Sequence, residues 1–413
     1  MGASDADMKQ VLITINGPGE ISAWLRPLAA AIKARAPEVR IFVCLLPCVY
    51  SSGSEKSVLD EIGDVDGAAS VGESLKLILR RKYPAGLEPD ADTLVVRLGG
   101  DMVLSSWLAR RIGAPAFAYT ERPNPVLKRF DRIFYTGLNP MPDKIGTRAT
   151  EYIGEMMVDS AAAKRGGLAA PEVDANVIGV FPGSRSYMAE FMLPYYAPAI
   201  DRVAAERPDV RWLMARSDFV TDDWLRAFPA PPENRNWTAG ALTLHEADGA
   251  QWFETEAGTR IDVRPNPDVF RKMKAALTIP GTNTGEMAAA GIPMVTVLPT
   301  YRYVAEHVPL RGVSGHVSRL PWIGMKLKIM ATEAVLRNPG YLSQANRRAD
   351  RYIVPELIGQ NLHAQIAEAL KAQLDDTEGA IGRKIQSIMG APGTAARFAD
   401  QIVTHFGERA VAA

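Results

Sequence analysis

Short runs of β-branched and other apolar residues alternate along the chain with stretches whose apolar positions recur at helical spacing. The first runs are 11–15 and 39–46, with a helical stripe over 23–36 between them and a helical stretch near 57–62 after them. Further along, 94–98, 116–119 and Arg132–Tyr135 read as strands and 105–112 as a helix. A strand buried on both faces of a sheet shows as a continuous apolar run, and parallel neighbours need a crossover helix between them. The rhythm therefore predicts a parallel sheet with helices on both faces, closing near residue 165.

Residues 161–175 are rich in Ala, Gly and Pro with scattered charge, the composition of a linker. The alternation then restarts with strands at Val177–Phe181, 211–215, 260–263, 276–279 and 293–298, and helices near 193–206 and 285–290. From 356 to 406 the pattern reads as mostly helical. No short internal repeat interrupts it. The expectation is α/β: two Rossmann-like, doubly wound domains over 1–165 and 176–375, with closing helices over 376–413 that pack back on the first domain or on a partner subunit. A homodimer is compatible with that arrangement.

Composition removes other classes. A chain of 413 residues with 47% apolar and 23% charged residues, 34 Gly and 29 Pro is neither disordered nor collagen-like. Lys plus Arg and Asp plus Glu balance at 47 each, so no global field draws the chain to nucleic acid. The two cysteines, Cys44 and Cys48, have no zinc or redox spacing and read as buried thiols of a reducing compartment. The acidic start and the short first apolar run give no signal-peptide pattern, and no apolar stretch is long enough to span a membrane. A cytoplasmic location is expected. Two stretches, 74–83 and 320–331, join cations to apolar residues and read either as interfacial helices or as core helices with solvated charges. The five histidines have no metal-ligand spacing.

The candidate chemistry lies where strands end. Asn16-Gly17-Pro18-Gly19-Glu20-Ile21-Ser22 follows the first strand, and Gly99-Gly100-Asp101 follows a later one, at the rim where open α/β sheets bind ligands. The first is a ligand loop or a tight turn; Asp101 is a general base or a helix cap. In the second half, Pro182-Gly183-Ser184-Arg185 offers backbone amides, a hydroxyl and a guanidinium to a diphosphate, or is an ordinary turn. Gly281-Thr282-Asn283-Thr284-Gly285-Glu286 opens a helix with small residues and places a Glu one turn in, where it can accept ribose hydroxyls or serve in capping.

With these motifs in view, the chain resembles the lipid-A-disaccharide synthase family of GT-B glycosyltransferases, and more closely its related branch. Gly19-Glu20-Ile21-Ser22 looks like the family's Gly-Glu-x-Ser, Asp101 like its catalytic Asp, and 181–185 like its Leu-Pro-Gly-Ser-Arg. Gly281 to Glu286 with Gly291 to Val295 looks like Gly-Thr-x-Thr-x-Glu followed by Gly-x-Pro-Met-Val. Asn346 to Arg351 and Val354 to Leu357 look like the late Asn-x-x-x-Gly-Arg and Val-Pro-Glu-Leu, with Asp350 in place of the glycine. Two segments depart from the family: Tyr119 to Asn124 replaces an aromatic run, and Gly154-Glu155 replaces Gly-His, both where an acceptor would bind. Residues 311–341 look inserted.

The resemblance implies an inverting transfer of a sugar from a nucleotide, UDP-linked donor to a lipid or other hydrophobic acceptor, without a metal or cofactor, at the inner face of the cytoplasmic membrane. Asp101 and Glu20 would be catalytic. Gly183, Ser184, Arg185, Gly281, Thr282, Asn283, Thr284 and Glu286 would bind the donor, and Gly17, Gly19, Ser22, Glu121 and Asn346 would position the acceptor or sugar. The alternatives are a nucleotide-sugar 2-epimerase of the same architecture and a non-catalytic, membrane-associated scaffold.

Overall fold

The computed structural model describes residues 8–48, 51–167, 173–174, 176–228, 239–301 and 340–412. The chain divides into two compact units, the first joining 1–163 to 390–413 and the second formed by 164–389.

The first unit is built on strands β1 (Lys9–Ile15), β2 (Arg40–Leu45), β3 (Gly67–Ala69), β4 (Asp92–Arg97), β5 (Ala116–Thr120), β6 (Arg132–Tyr135), β7 (Lys144–Ile145) and β8 (Arg148–Tyr152). Their spatial order is β3-β2-β1-β4-β5-β6-β8-β7, parallel throughout except for β7 against β8. Every residue of β1 from Gln10 to Ile15 is buried, as a central strand covered on both faces requires. Because the chain lays β2 and β3 on one side of β1 and then returns to build on the other, the order reverses between β1 and β4. That reversal marks the crevice where sheets of this type hold ligands. The helix after β1 starts at Pro18 rather than at 23, with a π-turn over Ile21–Leu25 before Arg26–Arg35. The π-turn breaks the 3.6-residue spacing, so the helical stripe does not extend back to the start of the helix at Pro18.

The last helix, Thr394–Ala412, also belongs to this unit. Asp159 accepts hydrogen bonds from the Gly393 and Ala395 amides at its start, at 2.5 and 3.0 Å, and Phe398 stacks on Tyr119 at 5.9 Å between ring centroids. The helix Ala380–Ser387 stays in the second unit, where a Cβ on Gly382 would come within 2.4 Å of the Gly291 carbonyl. The stretch 376–413 is thus shared between the units, and the division falls inside the helix Met156–Arg165, ahead of the residues that read as a linker.

The second unit contains β9 (Val177–Phe181), β10 (Arg211–Arg216), β11 (Leu242–Ala247), β12 (Ala250–Thr255), β13 (Arg260–Pro265), β14 (Ala275–Thr278), β15 (Met294–Pro299) and β16 (Glu356–Gly359). They are ordered β11-β12-β13-β10-β9-β14-β15-β16, so here the reversal lies between β9 and β14. Three features depart from the sequence reading. β11 and β12 form an antiparallel hairpin on Asp248-Gly249, both at positive φ, the signature of a tight hairpin turn that the dipeptide offered. β16 is a strand inside the stretch that reads as helical; it pairs with β15, and four residues are too few to show a period. The helix after β9 runs over Ser186–Glu206 despite Pro194 and Pro198. Pro198 has no N–H for the Pro194 carbonyl, which instead accepts the Gly240 amide at 2.9 Å.

Candidate functional site

At the reversal point of the first unit, Glu20 lies against Gly99: a Cβ on Gly99 would sit 1.9 Å from Glu20 Oε2, so a larger residue there would push the carboxylate out of its place. The Asn16 amide donates to the same oxygen at 3.2 Å. Asp101 is exposed and caps the helix Met102–Ile112, its Oδ1 accepting the Val103 and Leu104 amides at 2.8 and 2.9 Å. The cap expected as one of two roles is therefore present. The other carboxylate oxygen, Oδ2, takes no hydrogen bond among the described residues.

A residue that sequence reasoning passed over sits among these. Arg97, the last residue of β4, donates from Nη1 to the Tyr119 carbonyl at 2.7 Å and from Nη2 to the Gly100 carbonyl at 3.1 Å. Burial pushes its pKa down from the ordinary arginine value, while the carboxylates of Glu20, Asp101 and Glu121 act in the opposite sense. The available signal was an arginine ending an otherwise apolar strand, directly before Leu98-Gly99-Gly100.

The remaining first-unit candidates form the walls of this end. Gly17 is buried with extended φ, Gly19 and Ser22 are partly exposed, and the Ser22 carbonyl accepts the Ser160 hydroxyl at 3.3 Å. Glu121 is half-buried just past β5. Gly154-Glu155, which departs from the related family, serves the interior: the Tyr119 hydroxyl is 3.1 Å from the Gly154 carbonyl and 3.3 Å from Glu155 Oε1, and accepts the Met156 amide at 3.0 Å.

At the reversal point of the second unit, Phe181 and Thr278 are register partners, so the turns after β9 and β14 leave the sheet side by side. Gly183 has φ +121°, and a Cβ there would meet Met188 Cβ at 2.9 Å and Ile279 Cδ1 at 3.0 Å. Ser184 and Arg185 are partly exposed where the helix Ser186–Glu206 begins, with Arg185 Nη1 3.8 Å from Met188 Sδ. Gly281, Thr282 and Asn283 are exposed or partly exposed at the start of Thr282–Ala289. Among the described residues neither N-cap position, Arg185 or Gly281, caps its helix with a side chain. Uncapped amides and the helix dipole favour an anion at both.

Two second-unit candidates have other work. Glu286 is 1% exposed, and Lys164 Nζ holds its Oε1 at 2.6 Å while lying 5.3 Å from the Phe270 ring centroid. Ribose cannot reach that carboxylate while the pair is closed. Arg165 donates to the Ala290 carbonyl, which fixes the same segment on the end of the helix. Asn346 is fully buried; its amide donates to the Val354 carbonyl and Glu356 Oε1 and accepts the Ile353 and Val354 amides. All four of its bonding positions are used, so it braces the 343–356 loop and has none left for a sugar. Thr284 is likewise buried, donating to the Gly281 carbonyl and accepting the Gln344 amide.

The helix Val71–Arg80 buries Leu77 and Ile78 in the core, which leaves Leu79, 60% exposed, among Lys76, Arg80, Arg81 and Lys82. No broad apolar face is left on it. The other basic apolar stretch, 320–331, and all but the last two residues of the apparent insertion lie outside the described residues. Of the cysteines, Cys44 is buried, which pushes its thiol to about 12, whereas Cys48 is only partly buried. Cys48 therefore departs from the expected buried thiol, because it lies in the loop after β2, with its Sγ 3.9 Å from a Cβ built on Gly17. Among the described residues no helix is long and apolar enough to cross a membrane, and no three His, Cys, Asp or Glu side chains are placed to hold a metal ion.

No family model matches the chain. Over 211 residues, 50% of this chain, it is 28% identical to the lipid-A-disaccharide synthase of Granulibacter bethesdensis, and the match spans 42% of that relative's length. Among solved structures it is similar to a putative UDP-N-acetylglucosamine 2-epimerase from Listeria monocytogenes, with TM-score 0.53, 13% identity and 97% of each chain covered. S. aureus MnaA, solved with UDP, has TM-score 0.53 and 12% identity, again with 97% of each chain covered. Phytolacca americana UGT2, complexed with UDP-2fluoro-glucose and pterostilbene, has TM-score 0.50 and 12% identity over 97% of this chain and 100% of that one. The chain has the GT-B fold, and half of it is similar in sequence to a lipid-A-disaccharide synthase.

Proposed function

We propose that the protein is an inverting glycosyltransferase that takes a sugar from a UDP-linked donor and places it on a hydroxyl of a lipid-borne acceptor. The observation that carries the reading is the pair of uncapped helix N-termini, 186–206 and 282–289, on adjacent strand ends at the reversal point of the second unit. They form an anion site suited to a diphosphate, with Arg185 adding a full charge. With acceptor bound to the first unit, its hydroxyl gives its proton to Asp101 Oδ2 and its oxygen attacks the anomeric carbon. The bond from that carbon to the diphosphate breaks, its electron pair stays on the phosphate oxygen, and UDP leaves. Positive potential at the helix ends and on Arg185 stabilises that growing charge. Glu20 orients the acceptor, and Glu286 takes up ribose once Lys164 has released it.

The lipid half of the reading is supported by the similarity to lipid-A-disaccharide synthase and by Leu79 with Trp107, 60% and 49% exposed on helices whose cations Arg80, Arg110 and Arg111 are also exposed. Single exposed apolar side chains beside cations fit peripheral contact with the anionic inner face of the cytoplasmic membrane. The test is incubation with UDP-glucose and UDP-N-acetylglucosamine on anionic vesicles, following UDP release and the sugar product. Release of UDP with the sugar transferred to lipid supports the proposal. Appearance of the C2 epimer of the intact donor, with no transfer, would replace it with the epimerase reading.

A further inference from the structure

Arg97 is placed to govern the first-unit end. It is half-buried at the tip of β4, and its two Nη atoms reach main-chain carbonyls on the turn after β4 and on the neighbouring strand β5. One is Gly100, whose carbonyl lies one bond before the Asp101 nitrogen; the other is Tyr119, two residues before Glu121. Its Nε is buried without a hydrogen-bond partner among the described residues. The carboxylates of Glu20, Asp101 and Glu121, which follow β1, β4 and β5, all act on the guanidinium through their charge. A strut whose only task was to join two loops would not need three acids around it. Nor would three acids gather on neighbouring loops without a cation among them, because each carboxylate raises the cost of ionising the next.

We propose that Arg97 is a positioning residue of the transfer reaction: its planar fork fixes the Asp101 loop relative to the Glu121 loop and holds Glu20, Asp101 and Glu121 together around the acceptor. It acts through those residues and need not touch the sugar. The proposal rests on the glycosyltransferase reading of this site. A lysine in its place keeps the charge but has a single nitrogen, so it cannot hold both carbonyls in one plane. The donor loops belong to the second unit and are unaffected.

The test uses the full chain and the Arg97→Lys and Arg97→Met variants, with UDP-glucose and UDP-N-acetylglucosamine as donors, at a temperature well below each variant's melting point. Donor turnover and donor KM are measured together, with UDP affinity by calorimetry. Misplacement of a reacting group by about 1 Å costs up to about 100-fold in rate. The expected result is a kcat lowered about 10- to 100-fold in Arg97→Lys, at least as far in Arg97→Met, with donor KM and UDP affinity within about twofold. A variant that melts earlier but keeps the wild-type kcat makes Arg97 a mere strut and overturns the proposal. A rise in donor KM at unchanged kcat overturns it too. If the wild-type chain binds no UDP and turns over neither donor, the glycosyltransferase reading itself fails and takes this proposal with it.

Discussion

The two reversal points of this molecule have the same topology and opposite chemistry. In the first unit the helix after the returning strand is capped by its own carboxylate, Asp101, and acids from two other loops gather round a single arginine. In the second unit the N-cap residues, Arg185 and Gly281, give their helices no side-chain cap, and Arg185 brings a positive charge to one of them. A capping carboxylate satisfies the free amides and repels an incoming anion, whereas an open N-terminus attracts one. The same topology therefore leaves one end open to anions and makes the other acid-rich, and part of the difference lies in the residue at each helix start.

The largest expected effect comes from removing the acid without removing the cap. Asp101→Asn keeps an oxygen for the Val103 and Leu104 amides, so the melting temperature and UDP affinity should hold. General-base catalysis is worth about 10²- to 10⁴-fold, and turnover should fall by that much. A variant within about threefold of wild type, set against that range, would reduce Asp101 to its capping role.

Next in size is the Lys164–Glu286 pair of the second unit, whose carboxylate is 1% exposed. Breaking a buried ion pair by removing one of its members costs about 3–5 kcal/mol. Lys164→Met should therefore lower the melting temperature clearly. If Glu286 exchanges Lys164 for ribose, UDP should restore more stability to this variant than to wild type, whereas Glu286→Gln should bind UDP more weakly. Equal UDP affinity in all three proteins would make the pair purely structural.

Arg185→Gln should weaken UDP binding by about 1.5–3 kcal/mol, the scale for hydrogen bonds to charged groups. Glu20→Gln, at the other reversal point, should leave UDP affinity unchanged. An equal loss in both variants would erase the contrast between the two ends. The smallest effect is expected from thiol labelling. Burial of Cys44 keeps its thiol protonated, so a maleimide should modify only Cys48 in the native protein. A bulky adduct beside Gly17 should slow transfer while leaving UDP binding intact, as peptide mapping and calorimetry would show.

Much of this contrast could be read from the residues. The alternation of apolar runs and helical stripes marked the central parallel strands of both sheets but not β3, β8 or β16, and the loops at both reversal points carry Gly-rich segments that stand out in the chain. What could not be read was how each polar atom is used. Asn346 and Glu286 stand in segments that match a family pattern, yet one is saturated by its own loop and the other is held by Lys164, more than a hundred positions away. Those pairings depend on tertiary approach, which spacing does not encode. Arg97 escaped notice for the same reason, since its partners lie on three separate loops. The β11–β12 hairpin was missed, because polar residues flank its Asp248-Gly249 turn and hide the strands.

The central claim is that the second unit holds the nucleotide diphosphate at its uncapped helix ends. Crystals of the protein soaked with UDP test it most directly. The account predicts the diphosphate between the turns 182–185 and 281–284, with backbone amides of both helix starts and the Arg185 guanidinium on its oxygens. A diphosphate seated instead at the first-unit loop 16–22, or density at neither end with UDP in large excess, would contradict it.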